Sequence, residues 1–72
     1  MPSKYPSTTS REVLNVLQKI GFYEVSQKGS HKKLTDGIHV VIVPIHNDLA
    51  KGTLKSILAQ AGIDIDEFLI LR

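Results

Sequence analysis

The sequence predicts a small α+β domain of two layers, in the order α-β-β-β-α with a short C-terminal helix. The chain has 72 residues, which is enough for one domain that buries only about 60% of its unfolded surface. Two segments with apolar residues at helical spacing flank a central stretch rich in β-branched residues. The connections in that stretch are too short for parallel strands, so we expect a three-stranded antiparallel sheet with the helices on one face.

Composition limits what can hold this domain together. The chain has no cysteine, which excludes disulfides and thiolate metal sites. A hydrophobic content of 42% is normal for a globular domain and argues against disorder. No apolar run reaches the roughly 18 residues of a membrane span, and the polar N-terminus lacks the apolar core of a signal peptide. We therefore expect a cytoplasmic protein, one domain over residues 1–72, without a membrane partner.

The first helix is expected over residues 10–20. Residues 1–8 form a lead-in of Pro, Ser and Thr that we expect to be flexible. Thr9 and Glu12 have the spacing of a capping box at the helix start, and Gly21 can end the helix in a left-handed conformation. The apolar stripe between them consists of Val13, Leu14, Leu17 and Ile20.

Three strands are expected at residues 22–28, 31–35 and 38–43. Gly29-Ser30 is a tight connection between the first two, and Asp36-Gly37 is a hairpin signal between the second and third. Pro44 ends the third strand because proline has no N–H to donate. We expect Ile42, from the third strand, to lie in the core.

Alternation along the second strand divides its side chains between the two faces of the sheet. His31, Lys33 and Thr35 share one face, and Lys32 and Leu34 share the other. If Leu34 faces the helices, His31 points away from them. The sequence alone does not decide which face the helices cover.

The second helix is expected to open at Gly52-Thr53 and to stop at Gly62. Its buried stripe consists of Leu54, Ile57, Leu58 and Ala61. Asp64 can cap a last short helix over residues 65–71. Phe68, with Leu69 as a further candidate, would dock that helix on the core.

A basic loop, defined here as residues 28–33, is the first candidate for function. Its sequence, Lys28-Gly29-Ser30-His31-Lys32-Lys33, contains three lysines and no acid, although the net charge of the whole chain is only +2. Lysines bind phosphates by charge, and glycine lets backbone amides approach a phosphate closely. Histidine titrates near neutral pH, so His31 could take a proton from a ribose 2′-hydroxyl or give one to the leaving oxygen. The alternative is a solvated hairpin end without chemistry.

Other polar residues are weaker candidates. His46 could be a second acid/base group, an RNA contact or, most simply, a loop cap, and His39 is expected to be exposed. The helix start formed by Lys51, Gly52 and Thr53 resembles an anion site, with an ordinary cap as the alternative. The histidines lack the spacing of a ligand set, so we expect no metal and no cofactor.

Five short motifs, in order along the chain, carry a resemblance to a known family. They are Gly29-Ser30-His31, Val43-Pro44-x-His46, Lys51-Gly52-Thr53-Leu54, Ile57-Leu58-x-x-Ala61-Gly62-Ile63 and Glu67-Phe68. With them the chain resembles the HicA-type toxins, also described as YcfA-like mRNA interferases. The resemblance implies a fold like the double-stranded-RNA-binding domain, ribonuclease activity on mRNA and a HicB-type antitoxin that masks the active site. It also implies that His31 is the catalytic histidine.

Two other functions stay open on the sequence. One is a non-catalytic RNA-binding module with the same fold, and the other is a small interaction protein whose basic loop binds an acidic partner. His31 separates the enzyme from the RNA-binding module, because binding alone needs lysines but no imidazole.

Overall fold

The computed structural model describes residues 5–72 and has the expected order of elements. They are α1 (Ser10–Lys19), β1 (Tyr23–Lys28), β2 (His31–Thr35), β3 (Val40–Pro44), α2 (Lys51–Ala61) and α3 (Ile65–Leu71). The strands form one antiparallel sheet in the order β1-β2-β3. The predicted α+β arrangement with a short C-terminal helix is confirmed.

The start of α1 is held by side chains on both sides of its first turn. Thr9 Oγ1 accepts the backbone N–H of Glu12 at 3.2 Å, as the capping box predicts. The Glu12 carboxylate in turn accepts the hydroxyl of Thr8 at 3.0 Å. Thr8 is buried and its carbonyl accepts the N–H of Leu49 at 2.9 Å. Thr8, the last residue of the lead-in, is thus packed against the fold, and residues 1–4 of the lead-in lie outside the described residues.

The third strand begins at Val40, two residues later than expected. The cause is the Asp36 carboxylate, whose Oδ1 accepts the backbone N–H groups of Ile38 at 2.9 Å and His39 at 2.6 Å. These bonds close the turn that Asp36-Gly37 predicted and leave Ile38 86% exposed, outside the sheet.

The expectation that Ile42 lies in the core is wrong, because the other set of alternate residues in β3 faces inward. Val41 and Val43 are fully buried against the helices, whereas Ile42 is 40% exposed on the opposite face. Every residue from Val40 to Val43 is apolar, so no polar residue in the sequence shows which alternate side chains of this strand face the core. On β2, Leu34 is the buried residue of the same face. The core consists of Val13, Val16, Leu17, Phe22, Leu34, Val41, Val43, Leu49, Leu54, Ile57, Leu58, Ala61, Ile65 and Phe68.

The last two helices complete the layer over the sheet. Helix α2 begins at Lys51, one residue before the expected start, and ends at Gly62, which takes the left-handed conformation with φ +77°. Its predicted stripe is buried. Asp64 caps α3 as predicted and Phe68 docks in the core, but Leu69 is exposed.

His39 is engaged rather than simply exposed. Its Nδ1 lies 3.0 Å from Asp36 Oδ2, and its ring centroid lies 6.3 Å from that of Phe22. The backbone N–H of His39, its side chain and the backbone N–H of Ile38 together lower the pKa of Asp36 from 3.8 to about 2. All three favour the charged carboxylate. The turn between β2 and β3 is thus fixed to the core by one carboxylate and one imidazole.

Candidate nucleic-acid interface

The basic loop is the tip of the β1–β2 hairpin. Lys28 pairs directly with His31, and Gly29 and Ser30 form the two-residue connection that the sequence predicted. Gly29 has φ +59°, a conformation that disfavours residues with a Cβ. Gln27 Nε2 donates to the Gly29 carbonyl at 3.1 Å and so ties the turn to its strand. His31 is exposed at a position that strand pairing on both sides holds in place.

The sheet divides the charged side chains of this loop between two faces. Leu34 is buried against the helices, so alternation directs His31 and Lys33 to the outer face and Lys32 to the helix side. His31 does point away from the helices, which answers the question that the sequence left open. The lysines of the loop therefore form no single patch.

Lys32 has an acidic neighbour that no sequence pattern pointed to. Its Nζ lies 3.0 Å from Glu24 Oε1, in an ion pair with both side chains partly exposed. A β-bulge between Glu24 and Ser26 sets the register of β1, and Glu24 lies opposite Leu34, beside Lys32. The basic loop has no acidic residue of its own, but Glu24 on β1 supplies a carboxylate to Lys32 on β2.

Ser10 fixes the backbone of His46, and no sequence signal pointed to this role. Ser10 Oγ donates to the His46 carbonyl at 2.7 Å and accepts the His46 N–H at 2.9 Å. The N–H of Ser10 donates to the same carbonyl at 3.0 Å. Next to it, the Ile45 N–H donates to the Ser30 carbonyl at 2.7 Å. The segment after β3 is thereby joined to both α1 and the hairpin tip, while the His46 side chain is exposed.

A cleft of about 650 Å³ lies between α1 and this segment. Its polar lining includes Arg11, Asn15, Gln18, Lys32, His46 and Asn47. None of the described residues that line the cleft is acidic, so its charged groups are cations only. Lys32 and His46, both predicted as RNA contacts, meet here, whereas His31 is not part of the lining.

The start of α2 is a separate surface. Lys51 and Gly52 are exposed and Thr53 is half-buried. The N-cap residue is Ala50, and no side chain caps α2. The ordinary side-chain cap, which was the alternative to an anion site, is therefore not formed here. These residues do not line the cleft that contains His46.

A family model described as the HicA toxin of bacterial toxin-antitoxin systems matches residues 10–63, well over half of the chain. The chain belongs to the HicA toxin family. The matched range covers α1, the sheet and α2, so it contains the basic loop, the cleft residues and the start of α2. No curated protein sequence gives a significant match to this HicA-family chain.

Two further findings concern the described residues 5–72 of this HicA-family protein. No helix there is long and apolar enough to cross a membrane. In the same range, no group of three or more His, Cys, Asp or Glu side chains is placed to hold a metal ion.

Proposed function

We propose that this HicA-family protein is an endoribonuclease that cleaves mRNA, with His31 as its acid/base group and no metal ion in the reaction. The observation that supports the proposal is an exposed imidazole at the tip of a hairpin, with lysines on both sides. Lys28 is its direct partner across the strands, and Lys33 shares its face two residues along β2. Because mRNA is the proposed substrate, the protein would act in the cytoplasm.

The chemistry requires little more than positioning and one proton transfer. Lys28 and Lys33 attract a phosphodiester to the outer side of the tip and offset the negative charge that develops on it. The neutral imidazole of His31 takes the proton of the adjacent ribose 2′-hydroxyl. The 2′ oxygen then bonds to phosphorus, the bond from phosphorus to the 5′ oxygen breaks, and the proton is passed to that leaving oxygen.

Single-turnover cleavage of a labelled RNA in EDTA tests this proposal. We expect His31→Ala and His31→Gln to lose roughly 10²–10⁴ in rate, the usual contribution of general acid–base catalysis. RNA binding should change little, because the lysines supply most of the attraction. The same sequence in DNA should survive, because it lacks the 2′-hydroxyl. His39→Ala is the matched control, since His39 lies in the turn at the end of β2 and β3 that is opposite His31.

Undiminished cleavage by His31→Ala would contradict the proposed role of His31 and make His46 the next candidate. The alternative is a non-catalytic RNA-binding module. The cleft supports this alternative, because RNA could bind there without a contribution from His31. A wild-type protein that binds RNA and leaves it intact would establish that alternative.

We also propose a HicB-type antitoxin that masks the basic loop with acidic or RNA-mimicking surface. A partner over His31 would lie on the outer face of the sheet, where apolar side chains are exposed. They are Tyr23, Val40 and Ile42. Association should be fast and should slow as salt is raised. In the complex, amide hydrogen exchange of residues 28–33 should slow, and unchanged exchange there would contradict direct masking.

A further inference from the structure

The cleft between α1 and the segment after β3 takes no part in the chemistry proposed above. Its volume of about 650 Å³ falls within the range of roughly 300–1,000 Å³ typical of small-ligand sites. Asn15 and Gln18 line it from α1, and Asn47 lines it from the segment after β3. The bonds between Ser10 and His46 hold these two walls together. The cleft is therefore formed by fixed backbone before any ligand arrives.

The lining has the chemistry that an unpaired nucleobase needs. Amide side chains both donate and accept, as the edge of a base does. Proteins that read single-stranded RNA also stack its bases on histidine rings or on arginine guanidinium groups, and Arg11 and His46 provide these two surfaces. Leu14 and Ile45 add apolar contact for the base. A base that is stacked and paired inside a duplex cannot enter such a site.

The cleft also lies beside the hairpin tip. Lys32 is part of the cleft lining and is the next residue after His31 on β2. The hydrogen bond from the Ile45 N–H to the Ser30 carbonyl, at 2.7 Å, joins the far wall of the cleft to the turn. An RNA strand with one nucleotide in the cleft would thus pass Lys32 and continue around the hairpin tip to His31, whose side chain lies on the outer face of the sheet.

We propose that this cleft is a subsite for one unpaired nucleotide of the RNA strand whose phosphodiester, around the hairpin tip, is presented to His31. The inference rests on the proposed ribonuclease function and specifies its substrate as single-stranded RNA. The cations of the cleft bind the phosphates that flank the nucleotide, and its amides bind the base edge.

The test compares binding of a labelled single-stranded RNA oligonucleotide and of the same sequence within a duplex. We expect the single strand to bind more tightly, and the double variant Asn15→Ala, Gln18→Ala to bind the single strand about 10-fold or more weakly, because contacts to an unpaired base contribute strongly to affinity. The salt dependence should not change, since no charge is lost. Arg11→Ala should weaken binding and flatten the log–log salt slope by about 0.7. Lys19→Ala, on the same helix and outside the cleft, is the matched charge control.

The variant residues Arg11, Asn15 and Gln18 are exposed, so the fold should survive, and thermal unfolding checks it. Equal affinity for both RNA forms, or amide variants that bind like the wild type, would overturn the subsite. Binding assays in the His31→Ala background separate this inference from the proposed function. If cleavage depends on His31 but binding ignores the amides, only the subsite fails. If the amides matter for binding and His31 does not matter for cleavage, only the catalytic assignment fails.

Discussion

Replacing Gly62 by alanine should be unusually costly, because two independent penalties meet at this position. Gly62 ends α2 with φ +77° and ψ 23°, a left-handed conformation that costs other residues about 1–2 kcal/mol. A Cβ built there would lie 2.9 Å from His39 Nε2, so the ring must move. Forcing a side chain about 30° off its rotamer costs about 0.5–1.5 kcal/mol. We therefore expect Gly62→Ala to lower the free energy of unfolding by about 1.5–3.5 kcal/mol.

Urea and thermal unfolding followed by circular dichroism measure this loss. In a domain of this size, each kcal/mol lowers Tm by about 4–8 °C. Gly37→Ala is the matched control, because Gly37 also has positive φ, +96°, but a Cβ there would meet no atom within 4 Å. Its cost should be the backbone penalty alone.

A double-mutant cycle then isolates the steric part of the penalty. In the His39→Ala background no ring remains for the new Cβ to displace, so Gly62→Ala should cost about as much as Gly37→Ala. A steric penalty from His39 is refuted if the excess cost of Gly62→Ala persists without the His39 ring, or if there is no excess in the wild-type background.

The remaining predictions concern the core, the hairpin and the acid range. Leu58→Ala should destabilise the domain by about 2–5 kcal/mol because it opens a cavity among buried residues. Ile42→Ala, on the exposed face of the sheet, should cost far less in the same urea titration. Similar costs for the two variants would contradict the exposed position of Ile42 on β3. Glu24→Gln should release Lys32 from its ion pair and raise RNA affinity by up to about 5-fold, the scale of an exposed pair, and an affinity that falls in a filter-binding assay would contradict this. Asp36 has a pKa of about 2 in the folded protein against 3.8 ordinarily, so its charge stabilises the fold above about pH 4 and that contribution is lost as the pH falls towards 2. The stability difference between wild type and Asp36→Asn should therefore shrink over that window, and a constant difference would refute the role of the charge.

The sequence determined the features of this protein that depend on neighbours within a few residues. Thr9 and Asp64 cap their helices, Gly62 ends α2 in the left-handed conformation, and Gly29-Ser30 turns β1 into β2, all as predicted. Each of these signals is a hydrogen bond or a backbone preference that acts locally, so it can be read without knowledge of the fold. The five ordered motifs between Gly29 and Phe68 likewise predicted the HicA family, which the match over residues 10–63 confirms.

Pairings between distant residues were decided only by the tertiary structure. The sequence predicts a core position for Ile42, yet Val41 and Val43 point inward, because in an uninterrupted apolar strand only packing against the helices selects which alternate residues are buried. The ion pair of Glu24 with Lys32 depends on the bulge in the pairing of β1 with β2. The bonds of Ser10 to His46 likewise depend on how α1 docks against the segment after β3, 36 residues away. The cleft forms only when α1 docks against the segment after β3, because its lining residues come from both.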